Sequence, residues 1–441
     1  MATEPGTTAH YPLFSLASCI VRFPLPDLAS TPMTSSPIHS PRRRGRSIRR
    51  NLALAAIVAG TLSTSCTSGA TAAKQHDDQA QLRRDADAIT ALGVTGVQAR
   101  LVTPDGRNLT ATSGVGDLTA RRPVPSNGYF RIASVTKAFV ATVILQLAGD
   151  GKLSLNDTVE RWLPDVVSGN GNDGRAITIR QLLQHTSGLH DDYPDYTSAK
   201  NFHQHRYDTY TPEQTVGRAM RHRPDFQPGK DWNYSNTGYV LLGMIIQRVT
   251  GHPWHQEVQD RIVRPLGLKH TFWPGTSPKL PQPHAETYQR FKTGEPPVDV
   301  TEQVGSGTNG EAGLVSTTAD INRFLRALLG GRLLPPAQLT QMKQTSPVSK
   351  EFEQLMPGVR DGLGLFSRPL SCGGTYWGHE GGDSGWITAD GVTADGRRSV
   401  TVSLSGVFAQ SADDVLHVEQ AESKLVDNAL CATPNADHQR R

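Results

Sequence analysis

The decapeptide FRIASVTKAF, residues 130–139, places Ser134 and Lys137 three residues apart at the start of a long apolar segment. Apolar residues recur at positions 140, 143, 144 and 147, and neither glycine nor proline interrupts residues 138–147, which predicts a helix. Positions i and i+3 share a helix face, so the Lys137 amine can reach the Ser134 hydroxyl. A lysine with a lowered pKa can then activate a serine nucleophile. A Ser-x-x-Lys sequence also occurs by chance, so a helix start that merely carries both residues is the alternative.

Net charge is concentrated at the N-terminus of this chain of 441 residues. Of the formal charge of +4, residues 1–73 contribute +5 through seven arginines and two acids, which leaves −1 for the remainder. A near-neutral body gives no reason to expect nucleic acid as a partner. The length predicts one large domain or two intimate ones.

The N-terminal segment has the features of an export signal. Residues 42–50 are basic, and residues 51–62 are apolar but too short to span a bilayer. Small residues follow, and Ala70-Thr71-Ala72 fits a signal-peptidase site. We therefore predict a leader over residues 1–73 and an exported domain over 74–441. Lipidation at Cys66 would be the only link to a membrane.

Two cysteines, Cys372 and Cys431, remain after the leader, which holds Cys19 and Cys66. In an exported protein this pair favours one disulfide, closing a loop of about 60 residues. The spacing does not suggest a metal site.

Hydrophobic patterning predicts strands near both ends of the domain and helices between them. A helix is expected over 79–91, then strands over 95–102 and 108–114 around the turn Pro104-Asp105-Gly106. Helices are expected over 238–250, ended by Gly251, over 321–329 after a glycine-rich stretch at 305–313, and over 412–430. Further strands are expected over 375–379, 384–389 and 398–405, with turns at Asp390-Gly391 and Asp395-Gly396. This predicts an α/β fold of the α+β kind: an antiparallel sheet built from both termini and flanked by helices, plus a mostly helical insertion over about 157–300.

Two further motifs follow the Ser-x-x-Lys sequence. Tyr234-Ser235-Asn236 lies in a predicted loop before a helix, about 100 residues on, and His379-Glu380-Gly381 lies on a predicted strand about 145 residues further. Each motif alone is common. Their order, spacing and structural contexts together indicate one site.

This arrangement resembles the penicillin-recognising serine hydrolases, in particular their class C-like branch. That branch holds class C β-lactamases, secreted DD-carboxypeptidases, family VIII esterases and D-amino-acid-specific peptidases. The resemblance covers residues 79–431 and includes LLQHTSGL at 182–189, PLGL at 265–268 and LSCGG at 370–374. It implies a β-lactamase/transpeptidase-like fold, and the pair Cys372 and Cys431 looks like the disulfide of the secreted DD-carboxypeptidases.

The resemblance also implies a role for each motif residue. Ser134 is the acylated nucleophile and Lys137 its hydrogen-bond partner and candidate base. Tyr234 passes protons to the leaving group, with its phenolate favoured by Lys137. Asn236 orients Lys137 and the substrate amide, and His379 keeps the pocket electropositive.

The expected oxyanion hole and substrate pocket lie beside the His-x-Gly strand. The backbone N–H groups of Ser134 and Gly382 would form the hole, with Gly381 beside them. Neither a metal nor an organic cofactor is implied. His185, His190, Asp191 and Asp192 look like metal ligands, but His185 belongs to the family's HTSGL turn and the two aspartates are expected to be solvated loop acids.

Two departures from the family pattern affect the expected substrate. Secreted DD-carboxypeptidases hold a substrate carboxylate with an arginine, but that position is Phe366 here, with Arg368 two residues on. Glu380 would repel a substrate carboxylate, which favours neutral or amine-bearing substrates, unless it pairs with Arg368 or His379.

The expected function is that of a D-alanyl-D-alanine carboxypeptidase-like hydrolase. The alternatives are an esterase or D-amino-acid amidase of the same branch, or a catalytically silent binder of peptidoglycan fragments. Expected partners are a small peptide, ester or β-lactam substrate, including a peptidoglycan stem peptide, and the protein is expected to be a monomer.

Overall fold

The structure, a computed structural model, describes residues 67–193, 196–304, 309–408 and 411–431. Most of the predicted leader, including Cys66, lies outside the described residues, so export and lipidation stay predictions. Among the residues described, no helix is both long and apolar enough to cross a membrane.

Strands and helices are numbered in chain order. The strands are β1 Gly96–Val102, β2 Asn108–Gly114, β3 Phe130–Arg131, β4 Ser168–Gly169, β5 Asn172–Asp173, β6 Tyr288–Gln289, β7 Val298–Asp299, β8 Val315–Ser316, β9 Arg360–Asp361, β10 Phe366–Pro369, β11 Thr375–Gly378, β12 Gly381–Asp383, β13 Trp386–Thr393 and β14 Ser399–Ser405. The helices are α1 Thr67–Thr90, α2 Thr136–Gly149, α3 Val159–Trp162, α4 Ile179–Leu183, α5 Ala199–His205, α6 Pro212–Ala219, α7 Asn236–Thr250, α8 Trp254–Val258, α9 Arg264–Leu266, α10 Thr318–Leu329, α11 Pro336–Met342, α12 Lys350–Leu355 and α13 Ala412–Leu430.

The predicted antiparallel sheet from both termini is present. Its strand order is β2-β1-β14-β13-β11-β10-β9, with β12 paired to β13. The N-terminal strand β1 pairs antiparallel with the C-terminal strand β14, from Gly96 opposite Ser405 to Val102 opposite Ser399. The first and last parts of the chain therefore have to meet before the sheet is complete.

Each face of the sheet covers its own apolar core. On one face, α1 and α13 pack against alternate residues of the central strands, among them Val400, Val402 and Leu404 of β14. The other core contains α2, α7 and α10, with Trp377 and Trp386 from the sheet. The helices of the insertion share this second core, and α10 packs directly against β1, β13 and β14 of the sheet.

Helix α2 is buried on all sides along most of its length, from Thr136 to Leu145 and at Leu147. The apolar positions that predicted the helix therefore identify one face of an element that is surrounded by protein. The predicted end of α7 is confirmed, since the helix stops at Gly251, which adopts φ 79°. Helix α10 begins at Thr318, three residues before the predicted start, where the Thr317 side chain accepts the Asp320 N–H.

One predicted turn is wrong. Strand β13 continues through Asp390-Gly391 to Thr393, and the chain reverses only around Asp395-Gly396. Asp390 is buried, and its carboxylate accepts the His379 N–H at 2.8 Å. A Cβ at Gly391 would lie 2.9 Å from side-chain atoms of Tyr376 and Leu430, so this glycine serves close packing.

Candidate active site

Ser134 lies in a single 3₁₀ turn, Ala133–Val135, at the start of α2. Ala133 adopts φ 46°, a left-handed conformation that is unfavourable for a residue with a side chain. Backbone strain of this kind costs about 1–3 kcal/mol and tends to persist at functional sites. Ser134 itself is 6% exposed, so little of its side chain is open to solvent.

Lys137 is completely buried, and its Nζ contacts Ser134 directly. The nitrogen donates to Ser134 Oγ at 3.0 Å, to Asn236 Oδ1 at 2.8 Å and to the backbone oxygen of Glu311 at 2.6 Å. Burial lowers the pKa of Lys137 to about 7, opposed by the negative charges of Glu311 and Asp191. Near neutral pH an appreciable fraction of Lys137 is therefore the free amine, which can accept the Ser134 proton.

The Tyr234 ring lies 4.9 Å from Lys137 Nζ, as the predicted motif order requires. Its hydroxyl is buried beside the Ser134 hydroxyl but forms no well-aligned hydrogen bond with the described residues. Burial raises the pKa of Tyr234 far more than the nearby Ser134 hydroxyl lowers it. The expectation of a phenolate favoured by Lys137 is therefore wrong, and Tyr234 is a neutral phenol that can donate a proton.

His185 holds the Tyr234 loop in place. Its ring stacks on the Tyr234 ring at 4.3 Å, and its Nδ1 accepts the Ser235 N–H at 3.0 Å. Accepting at Nδ1 requires a neutral ring, in agreement with burial lowering the pKa of His185 well below its usual range. His185 is thus structural, as expected from the HTSGL turn.

Asn236 links Lys137 to an acid whose role the sequence did not reveal. Its Oδ1 accepts from Lys137, while its Nδ2 donates to Asp191 Oδ2 at 2.8 Å. Asp191 Oδ1 accepts the Thr237 N–H at 2.8 Å, at the N-terminus of α7. The expectation of a solvated loop acid is wrong for Asp191, because its carboxylate fixes which end of the Asn236 amide faces Lys137.

Glu311 is a second residue that the sequence did not single out. It lies at the end of the glycine-rich stretch and is 1% exposed. Its carboxylate accepts from the Tyr193 hydroxyl at 2.9 Å and from the Asn309 N–H at 3.0 Å. The sequence offered one indication that Glu311 is a site residue: it is the only charged residue in the glycine-rich stretch 305–313.

His379 lies beside Tyr234 and Phe366, with ring centroids 6.3 Å and 5.1 Å away. Its Nδ1 is 2.6 Å from the Glu380 backbone oxygen and must donate to it, which leaves Nε2 as a buried acceptor. Burial, with a contribution from Lys137, lowers the pKa of His379 to about 3. The expectation that His379 keeps the pocket electropositive is therefore wrong, because the ring is neutral at physiological pH.

Gly381 brings β12 against the Ser134 turn. A Cβ at this position would collide with the Ile132 carbonyl and lie 3.1 Å from the Ser134 nitrogen, so only glycine permits the approach. The next residue, Gly382, lies opposite Ile387 of β13. Gly381 therefore lies against the Ser134 turn, and the oxyanion role of Ser134 and Gly382 stays a prediction.

Glu380 does not act as an isolated pocket charge. It accepts from Arg368 Nη1 at 2.9 Å, and Arg368 also donates to Glu419 at 3.3 Å and Ser423 at 2.8 Å, both on α13. The structure therefore agrees with the alternative expectation, in which Glu380 pairs with Arg368 and does not face the substrate as an unpaired charge. The predicted disulfide is present between Cys372 and Cys431.

The candidate metal ligands do not assemble into a centre. Asp192 pairs with Arg218 at 2.9 Å, and His190 pairs with Asp225 at 2.8 Å. Within the described ranges, no group of three or more His, Cys, Asp or Glu side chains is arranged to hold a metal ion.

The model of the Beta-lactamase family matches residues 82–419 of the chain. Among curated proteins, the chain is 28% identical over 334 residues to penicillin-binding protein 4* of Bacillus subtilis (strain 168), covering 73% of this chain and 69% of that protein. It is 31% identical over 217 residues to protein flp of Staphylococcus aureus (strain MW2), covering 49% of this chain and 41% of that protein.

Two solved structures are similar over almost their whole length. A D-stereospecific amidohydrolase from Streptomyces sp. superposes with a TM-score of 0.68 and 40% identity, covering 77% of this chain and 98% of its own. D-amino acid amidase from Ochrobactrum anthropi SV3, complexed with L-phenylalanine amide, superposes with a TM-score of 0.67 and 30% identity, covering 79% of this chain and 99% of its own.

Proposed function

The chain belongs to the Beta-lactamase family and is a serine hydrolase, and we propose that it is a D-stereospecific amidohydrolase. It would cleave amides of D-amino acids through an acyl-enzyme on Ser134. The observation that carries the hydrolase assignment is the 3.0 Å contact between Lys137 Nζ and Ser134 Oγ inside a buried site. The two similar amidase structures support the substrate class.

The proposed acylation uses Lys137 as the base and Tyr234 as the acid. Neutral Lys137 takes the Ser134 proton as Ser134 Oγ attacks the substrate carbonyl, and the oxyanion develops against the backbone N–H groups of Ser134 and Gly382. The Tyr234 phenol then donates its proton to the leaving amine, and the Lys137 ammonium returns a proton to Tyr234. Water reverses this sequence to release the acid.

The surroundings of Arg368 favour amides over substrates with a C-terminal carboxylate. Its guanidinium already serves Glu380, Glu419 and Ser423. At the position two residues earlier, Phe366 places an apolar ring against His379. Neither residue offers a free cation to the C-terminal carboxylate of D-Ala-D-Ala.

A D-alanyl-D-alanine carboxypeptidase is the second candidate. Its support is the similarity to penicillin-binding protein 4* of Bacillus subtilis over 73% of this chain. A peptidoglycan stem peptide would then be the substrate. Export of the enzyme through residues 1–73 is part of both proposals, and N-terminal sequencing of the secreted protein tests it.

A substrate panel separates these candidates. We expect D-phenylalanine amide to be hydrolysed much faster than L-phenylalanine amide and faster than D-alanine is released from a D-Ala-D-Ala peptide. Including p-nitrophenyl butyrate and nitrocefin tests the esterase and β-lactamase activities, with Ser134→Ala as the inactive control. Preferential release of D-alanine would overturn the amidase proposal. Failure of a fluorophosphonate to label Ser134, together with no turnover of any substrate, would indicate a silent binder.

A further inference from the structure

Glu311 contacts the general base through its backbone, while its side chain is enclosed by protein. Its carbonyl oxygen accepts from Lys137 Nζ at 2.6 Å, the shortest of the three hydrogen bonds of that nitrogen. With 1% exposure, the residue is screened from solvent and is not available to contact a substrate in the cleft. Any effect on the reaction must therefore pass through Lys137.

The hydrogen bonds of the Glu311 carboxylate favour its ionised form, whereas burial raises the pKa of Glu311 to about 7. Oε1 accepts from the Tyr193 hydroxyl and Oε2 from the Asn309 N–H. Both partners are donors, and two donors satisfy an ionised carboxylate better than a protonated one. A buried negative charge beside a buried amine is screened little by solvent, so the two groups interact strongly.

We infer that Glu311 is a positioning residue for the general base, Lys137. The Glu311 backbone carbonyl fixes Lys137 Nζ. The Glu311 carboxylate, held by Tyr193 and Asn309, sets the protonation of Lys137. The inference rests on the proposed acyl-enzyme chemistry at Ser134, but it does not depend on the substrate being a D-amino-acid amide. It adds a residue outside the Ser-x-x-Lys, Tyr-x-Asn and His-x-Gly motifs.

The other groups around Lys137 determine the sign of the effect. They are Asp191 from the loop after the HTSGL turn, the neutral rings of His185 and His379, and the phenol of Tyr234. Glu311 and Asp191 favour the ammonium form of Lys137, whereas burial disfavours it. Removing the charge of Glu311 therefore lowers the pKa of Lys137, and the free amine becomes available at lower pH.

The test is the pH dependence of Ser134 acylation by a fluorophosphonate in the full-length enzyme. Acylation by this reagent requires the activated serine but no particular substrate, so a wrong substrate class cannot mask the result. The midpoint is the pH at which the acylation rate reaches half of its maximum as the pH rises. In Glu311→Gln we expect this midpoint to move down by about one pH unit or more relative to the wild type. Glu311→Asp, which keeps the charge, should restore most of the wild-type midpoint.

Two further variants keep the test decisive. Tyr193→Phe removes one hydrogen bond to the carboxylate, so less Glu311 is ionised and the midpoint should move in the same direction by a smaller amount. Glu302→Gln, at an exposed acid near the same stretch, should leave the midpoint unchanged. An unchanged midpoint in folded Glu311→Gln would overturn the inference. If Glu311→Gln does not fold, an unchanged midpoint in Tyr193→Phe would overturn it. Acylation that follows the expected shifts without cleavage of D-phenylalanine amide would support Glu311 and refute only the amidase assignment.

Discussion

Lys137 Nζ and Ser134 Oγ lie 3.0 Å apart, and the side chain that supplies the nitrogen has no solvent contact. Burial lowers the pKa of Lys137 to about 7, so the amine loses its proton as the pH rises through neutrality. Since the free amine is the base, the rate of Ser134 acylation should rise between about pH 6 and 8 and level off above. Stopped-flow measurement of the acylation rate with a fluorophosphonate across this pH range tests the prediction.

The control for this pH dependence is Lys137→Gln. It should lower the acylation rate by roughly 10²–10⁴-fold and remove the limb near pH 7. A limb that survives in Lys137→Gln would assign the titration to another group.

Tyr234 is a neutral phenol next to the nucleophile, which predicts that its contribution depends on the leaving group. Tyr234→Phe should slow hydrolysis of D-phenylalanine amide by about 10²–10³-fold, because an amine must be protonated as it leaves. A p-nitrophenyl ester should lose much less, since nitrophenolate leaves without a proton. Comparing kcat/KM for the two substrates measures this difference, and equal losses would contradict a proton-donor role.

Asp191 orients Asn236 and accepts the Thr237 N–H, so both activity and stability should depend on its charge. In Asp191→Asn the new amide oxygen can still accept the Thr237 N–H, but the new amide nitrogen would then face the Asn236 Nδ2 donor. This clash of two donors favours rotation of the Asn236 amide, which would turn a donor toward Lys137. We expect about tenfold lower kcat/KM and a loss of about 1–3 kcal/mol in the free energy of unfolding.

The neighbouring residue provides the matched control. Asp192 is 22% exposed and pairs with Arg218 at 2.9 Å and Arg221 at 3.4 Å outside the Lys137 network, so Asp192→Asn should cost about 1 kcal/mol or less. Equal effects of the two substitutions would mean that Asp191 has no special role in the site.

The sequence predicted those features that depend on local pattern. Strand β2 has the predicted bounds, and α7 ends at Gly251, because alternation and a left-handed glycine are visible in a single segment. Asp390-Gly391 was misassigned as a turn because the same dipeptide serves a buried strand, where Asp390 binds the His379 N–H. That use depends on a neighbouring strand, which no local pattern reveals.

The chemical states of the site residues were less predictable than their positions. The motifs identified Tyr234 and His379, but the neutral forms of both follow from burial, which the sequence does not give. Asp191 and Glu311 were missed for a related reason. Each reaches Lys137 or Asn236 from a separate loop, so only the folded chain brings them to the site.

The disulfide ties the turn between β10 and β11 to the end of α13, across a sequence separation of 59 residues. In the chain-entropy model a loop of this length contributes about 4 kcal/mol. The Cys372→Ala, Cys431→Ala double variant should therefore lose up to this amount in urea unfolding and label normally with a fluorophosphonate. Loss of labelling in a folded double variant would mean that the bond also shapes the site.

Glu422 on α13 should destabilise the folded protein at neutral pH. It is 1% exposed, and neither carboxylate oxygen has a hydrogen-bond partner among the residues described, while Glu419 and Glu380 lie close enough to repel it. Burial and these charges raise the pKa of Glu422 well above its usual range. The folded state therefore holds this proton more tightly than the unfolded state, and stability falls as the pH rises above the ordinary glutamate range of about 4–5.

Replacing this acid with its neutral isostere removes that dependence. Glu422→Gln should have a higher free energy of unfolding than the wild type at pH 8, by about 1.4 kcal/mol for each unit of raised pKa that the pH has passed. At pH 4 the two proteins should be nearly equally stable, because Glu422 is mostly protonated in both the folded and the unfolded state. Urea unfolding at the two pH values measures the difference, with Glu353→Gln at an exposed acid as the control. A variant that is less stable than the wild type at pH 8 would show that the Glu422 charge is compensated within the fold.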